Sequence, residues 1–328
     1  MLTDAFDRHI TYLRLSVTDR CDFRCVYCMA EDMVFLPRAQ VLTLEESIDI
    51  CTAFAELGVT KIRITGGEPL LRNGISTLFE QVGQIATLDE LTLTTNGSRL
   101  QQFAPQLATS GINRINISLD TLDSEQFTEL TRFGKLSDVL NGIQAAKEAG
   151  IARIKLNAVI LKQRNLDQVL PLVEYALAQQ LDISFIEEMP LGKITEHGRQ
   201  DEFCSSAHLR ELINQRYSLQ PSTHHTGGPS RYWNIAGTRT QIGFISPHSE
   251  NFCGSCNRVR VTAEGKLLLC LGNENAVDLK AILRRYPGDR QRLKQTIVEA
   301  MNHKPERHYF EQQQTEPQIL RFMNATGG

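Results

Sequence analysis

No apolar stretch among these 328 residues approaches the roughly 20 that a membrane-crossing helix requires, which excludes a spanning segment of that kind. A secretory leader is not expected either. Met1-Leu2-Thr3-Asp4-Ala5-Phe6-Asp7-Arg8 carries acids where a leader wants bases, and no apolar core follows, so the protein is expected in the cytoplasm. Nor does one sign of charge dominate: 35 Lys plus Arg against 38 Asp plus Glu leaves a net −3, which argues against a global grip on a nucleic-acid backbone. Any anionic ligand must find a local basic pocket. There is no low-complexity segment, and 41% hydrophobic with 22% charged residues is ordinary globular usage, which rules out disorder. The length allows one large α/β barrel or two modest domains.

In a reducing compartment, eight cysteines are better explained by metal binding or catalysis than by disulfides. From about residue 12 to 188, apolar runs of strand length alternate with amphipathic segments of helix length, which predicts βα units on a parallel sheet. Strands are predicted at 12–17, 61–65, 91–95, 114–119, 155–160 and 183–187. Thr43 caps a helix running to Leu57 and stopping at Gly58, and further helices are predicted at 74–84, 99–109, 137–149 and 166–179. Right-handed crossovers would curl the six units into an open, partial (β/α)6 barrel of the TIM type, with ligands at the C-terminal strand ends. Polar motifs fall at those ends: Cys21, Gly66-Gly67-Glu68-Pro69, Asn96-Gly97, Asp120 and Met189-Pro190. Beyond 190 the pattern changes to a helix at 206–216, a turn-rich stretch at 223–230, short strands around more cysteines, and a helix at 289–303. A soft boundary near 190–220 divides the chain into a barrel, 1–200, and an auxiliary region, 201–328, packed across its open side.

Cys21-Asp22-Phe23-Arg24-Cys25-Val26-Tyr27-Cys28 is a C-x3-C-x2-C run on the loop after the first strand. Three thiolates leave one iron of a 4Fe-4S cube without a protein ligand and open to a substrate. Structural zinc and inert core thiols are the alternatives, although zinc prefers four ligands and paired C-x2-C hooks. Cys253-Gly254-Ser255-Cys256 with the later Cys270 is again a trio, and here a zinc ribbon completed by His248 stays open. The following residues, Asn257-Arg258-Val259-Arg260-Val261, alternate like a strand and put Arg258 and Arg260 on one face, as a guanidinium pair for phosphate or as a solvated edge. Arg14, Lys61, Arg63 and Lys155 lie on predicted barrel strands, and Lys61 and Arg63 share parity, so both can face the lumen; strand-edge charge is the plainer reading. Cys51 and Cys204 read as packing residues.

The cysteine run with Tyr27 before its last member, together with the Gly66-Gly67-Glu68-Pro69 turn, resembles the radical S-adenosylmethionine superfamily. Within it, residues 13–21, 61–70, 94–97 and 114–120, the second cysteine group and the closing Gly327-Gly328 are similar to the GTP 3',8-cyclases of molybdenum-cofactor biosynthesis, so the resemblance covers nearly the whole chain. It implies two 4Fe-4S clusters, one on Cys21, Cys25 and Cys28 that chelates S-adenosylmethionine and one on Cys253, Cys256 and Cys270 that faces the guanine. It further implies S-adenosylmethionine contacts from Tyr27, Gly67, Glu68, Thr94, Asn96, Ser118 and Met189. GTP contacts are implied for Arg14, Lys61, Arg63, Lys155, Arg258 and Arg260, with the Gly327-Gly328 tail inserted in the barrel.

The implied reaction starts from one-electron cleavage of S-adenosylmethionine. The resulting deoxyadenosyl radical takes the C3' hydrogen of GTP, and the sugar carbon closes on C8; no acid–base residue is required. The resemblance also implies a homodimer, an electron donor that the sequence does not identify, and hand-over of product to cyclic pyranopterin monophosphate synthase. Two positions depart from the family pattern: Ser184 stands where many members carry arginine, and Thr326 precedes the glycines where a larger apolar residue is expected. A radical peptide modifier and a zinc-stabilised binding module are the rival readings. The first usually carries more C-terminal cysteines, and metal identity separates the second.

Overall fold

The computed structural model describes residues 1–195, 198–308, 310 and 319–327. Six strands form the first part: β1 (Tyr12–Ser16), β2 (Lys61–Thr65), β3 (Glu90–Thr95), β4 (Ile112–Ser118), β5 (Arg153–Val159) and β6 (Asp182–Ile186). All five successive pairings are parallel. The crossovers are made by α1 (Leu44–Glu56), α2 (Ile75–Gly83), α3 (Leu100–Thr109), α4 (Ser124–Thr131), α5 (Leu136–Glu148) and α6 (Val169–Gln179). Local chemistry sets their ends. Thr43 Oγ accepts from Glu46 N while the Glu46 carboxylate accepts from Thr43 N, a reciprocal cap on α1, and Gly58 at φ +96° takes the chain out.

Each strand is divided by a period of two. Leu13 and Leu15, Ile62 and Ile64, Leu91 and Leu93, Ile115 and Ile117 join the core with Ile50 and Phe54 of α1 and Leu78 and Phe79 of α2. The alternate positions are polar: Tyr12, Arg14, Lys61, Arg63, Thr94, Arg114, Asn116, Lys155 and Asn157 line the lumen. Almost every one of these side chains is buried. Polarity, rather than exposure, therefore marks the functional face.

The expected partial barrel is present, and the C-terminal strands extend it at both edges. These are β7 (Leu219–Pro221), β8 (Arg231–Ile235), β9 (Gln241–Ile245), β10 (Arg258–Val261), β11 (Lys266–Leu268) and β12 (Ala276–Asp278). The sheet runs β12-β11-β10-β1-β2-β3-β4-β5-β6-β9-β8-β7. On one edge β10 lies parallel to β1 with Arg260 opposite Arg14, and on the other β9 lies parallel to β6 with Gly243 opposite Ser184. Two more βα units are thus mimicked by strands from the far end of the chain. Among the described residues no helix is long and apolar enough to cross a membrane.

Candidate active site

The loop after β1 carries Cys21, Cys25 and Cys28, and neighbouring strand ends hold it in place. Gly67 N donates to Thr18 O and Glu68 N to Arg20 O, both at 2.8 Å. This approach explains the double glycine: a Cβ on Gly66 would lie 2.5 Å from Thr18 O, and one on Gly67 2.3 Å from Arg20 O. From β3, Asn96 Nδ2 donates to Asp22 Oδ1 at 2.7 Å and reaches Cys21 Sγ at 3.7 Å, while Ser98 Oγ donates to Asp22 Oδ2 at 2.7 Å. Tyr27 donates its hydroxyl to Asp120 at the end of β4, 2.6 Å away. The three thiols open on a chamber also walled by Tyr27, Gly67, Thr94, Asn96, Ser118 and Met189. Glu68 instead lies behind that wall, fully buried, with its carboxylate accepting from Leu70 N, Thr95 Oγ1 and Asn96 N.

A second chamber adjoins the first, and both share Thr94, Asn157, Ile186, Met189 and Met323 in their walls. Cys253, Cys256 and Cys270 open on it, as do Arg14, Lys61, Arg63, Lys155, Arg258 and Arg260. Burial and mutual repulsion work against these cations. Burial, with Arg63 and Arg258 nearby, brings Arg14 down to about 10, and burial with Arg14 and Arg258 drives Arg260 well below the guanidinium range. Lys61 and Lys155 are likewise lowered by burial. An anion in this chamber relieves all four. Two phenols already share the field: burial raises Tyr12, yet Arg63, Arg14 and Lys61 override it and hold the hydroxyl at about 7. Burial raises Tyr232 too, but Lys155, 2.9 Å from its oxygen, brings it to about 8.

The chain's end lies at the seam. Asn324 and Thr326 are buried, Asn324 Nδ2 donates to Asp19 O at 2.9 Å, and Arg260 Nη1 donates to Gly327 O at 2.8 Å. Gly327 has φ +71°, and a Cβ there would lie 2.2 Å from Thr65 Oγ1, so only glycine fits. Gly328 lies outside the described residues. Thr326 donates to Met323 O at 3.2 Å, closing the short turn that brings Gly327 in. At Ser184 the hydroxyl pairs with Ser230 Oγ at 2.8 Å.

The donor sets fit iron–sulfur cubes. Each is a thiol trio facing a cavity, and His248, the fourth ligand that a zinc ribbon would need, has its Nε2 2.9 Å from Glu188 O. Among the described residues no three His, Cys, Asp or Glu side chains converge as a single metal ion requires. Several groups that shape the site carry no sequence signature. Lys304 is buried and donates to Arg258 O and Leu269 O, with Nζ 3.7 Å from Cys256 Sγ. Arg8, paired with Asp4, donates to Cys253 O and to Pro305 and Glu306 carbonyls. Tyr12 lies two residues from Arg14 on β1 and so shares its face, which was an available clue, and Arg114 and Asn116 share a face of β4.

Comparison with known proteins agrees with this architecture. Residues 15–176 match the radical SAM superfamily model, and residues 181–310 match the model described as Molybdenum Cofactor Synthesis C. The chain is 60% identical to GTP 3',8-cyclase 2 of Pseudomonas aeruginosa and 58% identical to GTP 3',8-cyclase of Saccharophagus degradans, each over 100% of this chain and 98% of the relative. Among solved structures it is similar in fold to Streptococcus suis SuiB bound to S-adenosylmethionine, with TM-score 0.64 at 17% identity over 97% of this chain and 77% of that one. With two thiol trios, a basic lumen between them and full-length identity of this order, the chain belongs to the GTP 3',8-cyclase family of radical S-adenosylmethionine enzymes.

Proposed function

We propose that the protein converts GTP to 3',8-cyclo-7,8-dihydro-GTP, the first step of molybdenum-cofactor synthesis, with the thiol chamber holding S-adenosylmethionine and the basic chamber holding GTP. The observation that supports this assignment is the shared wall of Thr94, Asn157, Ile186, Met189 and Met323, across which ligands held in the two chambers would be neighbours. When bound by Cys21, Cys25 and Cys28, a reduced 4Fe-4S cluster supplies the electron that splits S-adenosylmethionine into methionine and a deoxyadenosyl radical.

The chain's own residues do the placing. Tyr27, Gly67, Thr94, Asn96, Ser118 and Met189 orient S-adenosylmethionine, while Glu68 fixes the turn beneath it. Arg14, Lys61, Arg63, Lys155, Arg258 and Arg260 neutralise the triphosphate, and Cys253, Cys256 and Cys270 hold the second cluster against the purine. Gly327 fills the seam and helps to exclude water and stray hydrogen donors from the radical's path. We assign 1–200 to the radical barrel and 201–328 to the auxiliary region. We further propose a cytoplasmic homodimer, fed by an electron donor and delivering product to cyclic pyranopterin monophosphate synthase.

Anaerobic incubation with reductant, S-adenosylmethionine and each nucleoside triphosphate tests the assignment. Deoxyadenosine and a cyclised purine should form together with GTP alone; stoichiometric zinc without acid-labile sulfide, or cyclisation of another triphosphate in preference, would overturn it.

A further inference from the structure

The basic chamber contains one guanidinium that neither the motifs nor the family resemblance assigns. Arg114 is the first lumen-facing residue of β4; it is 6% exposed and lines the chamber. Its field couples it to Arg63 on one side, and it acts in turn on Lys155 on the other, so it stands between cations contributed by β2 and β5. Across β3 its register partner is Thr92, which is neutral, and β6 offers only Ser184, tied to Ser230. Without Arg114 the row of positive charge would be broken between Arg63 and Lys155.

The chemistry of Arg114 is unfinished. Its Nε has no hydrogen-bond partner, although it is buried, and its Nη1 stands 3.6 Å from Glu90 Oε1, beyond hydrogen-bond range. Glu90 also pairs with Lys61, so one carboxylate serves two cations. An unsatisfied, buried guanidinium is costly unless a ligand completes it. Its planar fork matches two oxygens of a phosphate, a geometry that lysine cannot reproduce.

We propose that Arg114 is a further polyphosphate-binding residue, completing the basic row between Arg63 and Lys155 and taking phosphate oxygens on the Nε edge that is free in this structure. This inference rests on the assignment of the basic chamber to GTP. Glu90 is its positioning partner: its carboxylate stands beside both Arg114 and Lys61, pairs closely with Lys61, and leaves Arg114 Nη1 3.6 Å away, so it does not satisfy the guanidinium.

Equilibrium binding to the anaerobic holoenzyme tests the proposal, with GTP, guanosine and inorganic tripolyphosphate as probes and S-adenosylmethionine affinity as a control. Arg114→Gln should weaken GTP and tripolyphosphate about tenfold, the loss of one charged hydrogen-bonding partner, and leave guanosine and S-adenosylmethionine unchanged. Arg114→Lys keeps the charge without the fork and should recover part of the loss. If Arg114→Gln destabilises the fold, the double variant Arg114→Gln with Glu90→Gln removes the stranded carboxylate, and Arg114→Lys alone still reads the fork. GTP and tripolyphosphate affinities within twofold of wild type in these variants overturn the role of Arg114, as does an equal loss for guanosine. Failure of the wild-type enzyme to bind GTP or tripolyphosphate overturns the chamber's assignment instead.

Discussion

The two thiol trios are alike in number and opposite in surroundings. At the first, burial raises Cys21 and Cys25, with Glu68 and Asp22 adding to the one and Asp120 to the other, and burial with Asp120 holds Cys28 at about 12. At the second, burial raises Cys270 despite Lys304 and also raises Cys256, but at Cys256 Arg258, Lys304 and Arg8 outweigh it and lower the thiol. Carboxylates around one trio oppose added negative charge; cations around the other welcome it. Clusters held on these trios as proposed would feel that difference, the first favouring loss of an electron and the second tolerating an anionic neighbour.

The largest test of this contrast removes the ligands. Cys21→Ala, Cys25→Ala and Cys28→Ala should abolish deoxyadenosine formation outright. Cys253→Ala, Cys256→Ala and Cys270→Ala should abolish the cyclised product while sparing some deoxyadenosine, both products being measured anaerobically in one assay. Equal loss of deoxyadenosine from both sets would break the division of labour. Next in size is the seam between the chambers. Gly327→Val must push away from Thr65, and a displacement of about 1 Å near the reacting atoms costs on the order of 100-fold, so cyclisation should fall by that order while deoxyadenosine formation persists.

Lys304→Gln sharpens the electrostatic side. It should lower the midpoint potential of the C-terminal cluster and leave the N-terminal one in place, as followed by electron paramagnetic resonance during redox titration; an unchanged gap would deny Lys304 that role. The same change strips donors from Arg258 O and Leu269 O, which costs about 1–3 kcal/mol and lowers the melting temperature. The smallest effect is in pH. Above about 7 Tyr12 becomes a phenolate among Arg63, Arg14 and Lys61, so, if these hold the triphosphate as proposed, GTP affinity should decline from pH 6.5 to 8.5 and Tyr12→Phe should flatten the decline. Stability moves the other way. The folded chain holds fewer protons on Tyr12 than the unfolded chain between about 7 and the ordinary 10.0, so the phenolate's stabilising share grows with pH there and is lost as pH falls through 7.

Much of the barrel was legible because its strands are short, apolar and separated by capped helices; all six fall within two residues of their predicted limits. The helix α4 was not anticipated, since Ser124–Thr131 offers only Phe127 and Leu130 to the core, and its one clear signal was Asp123 accepting from Glu125 N and Gln126 N. The pairing of β10 with β1 was also hidden: local pattern predicts a strand but not a partner about 245 residues away. At the site, the cysteines and the Lys61–Arg63 parity were readable. Arg8 and Lys304 were not, because their meaning lies in the carbonyls and the sulfur they meet across the fold. Gly66-Gly67 was read for ligand contact, whereas the backbone of residues 18–20 already demands both glycines.

The edges of the sheet carry a consequence for biosynthesis. When the ribosome has released residues 12–186, β1 and β6 still present open rows of amides and carbonyls, because their outer partners, residues 258–261 and 241–245, are not yet made. The nascent barrel is thus a sticky ribbon for the time it takes to translate those last strands, and truncated or stalled chains should be the form that chaperones hold and that aggregates in their absence.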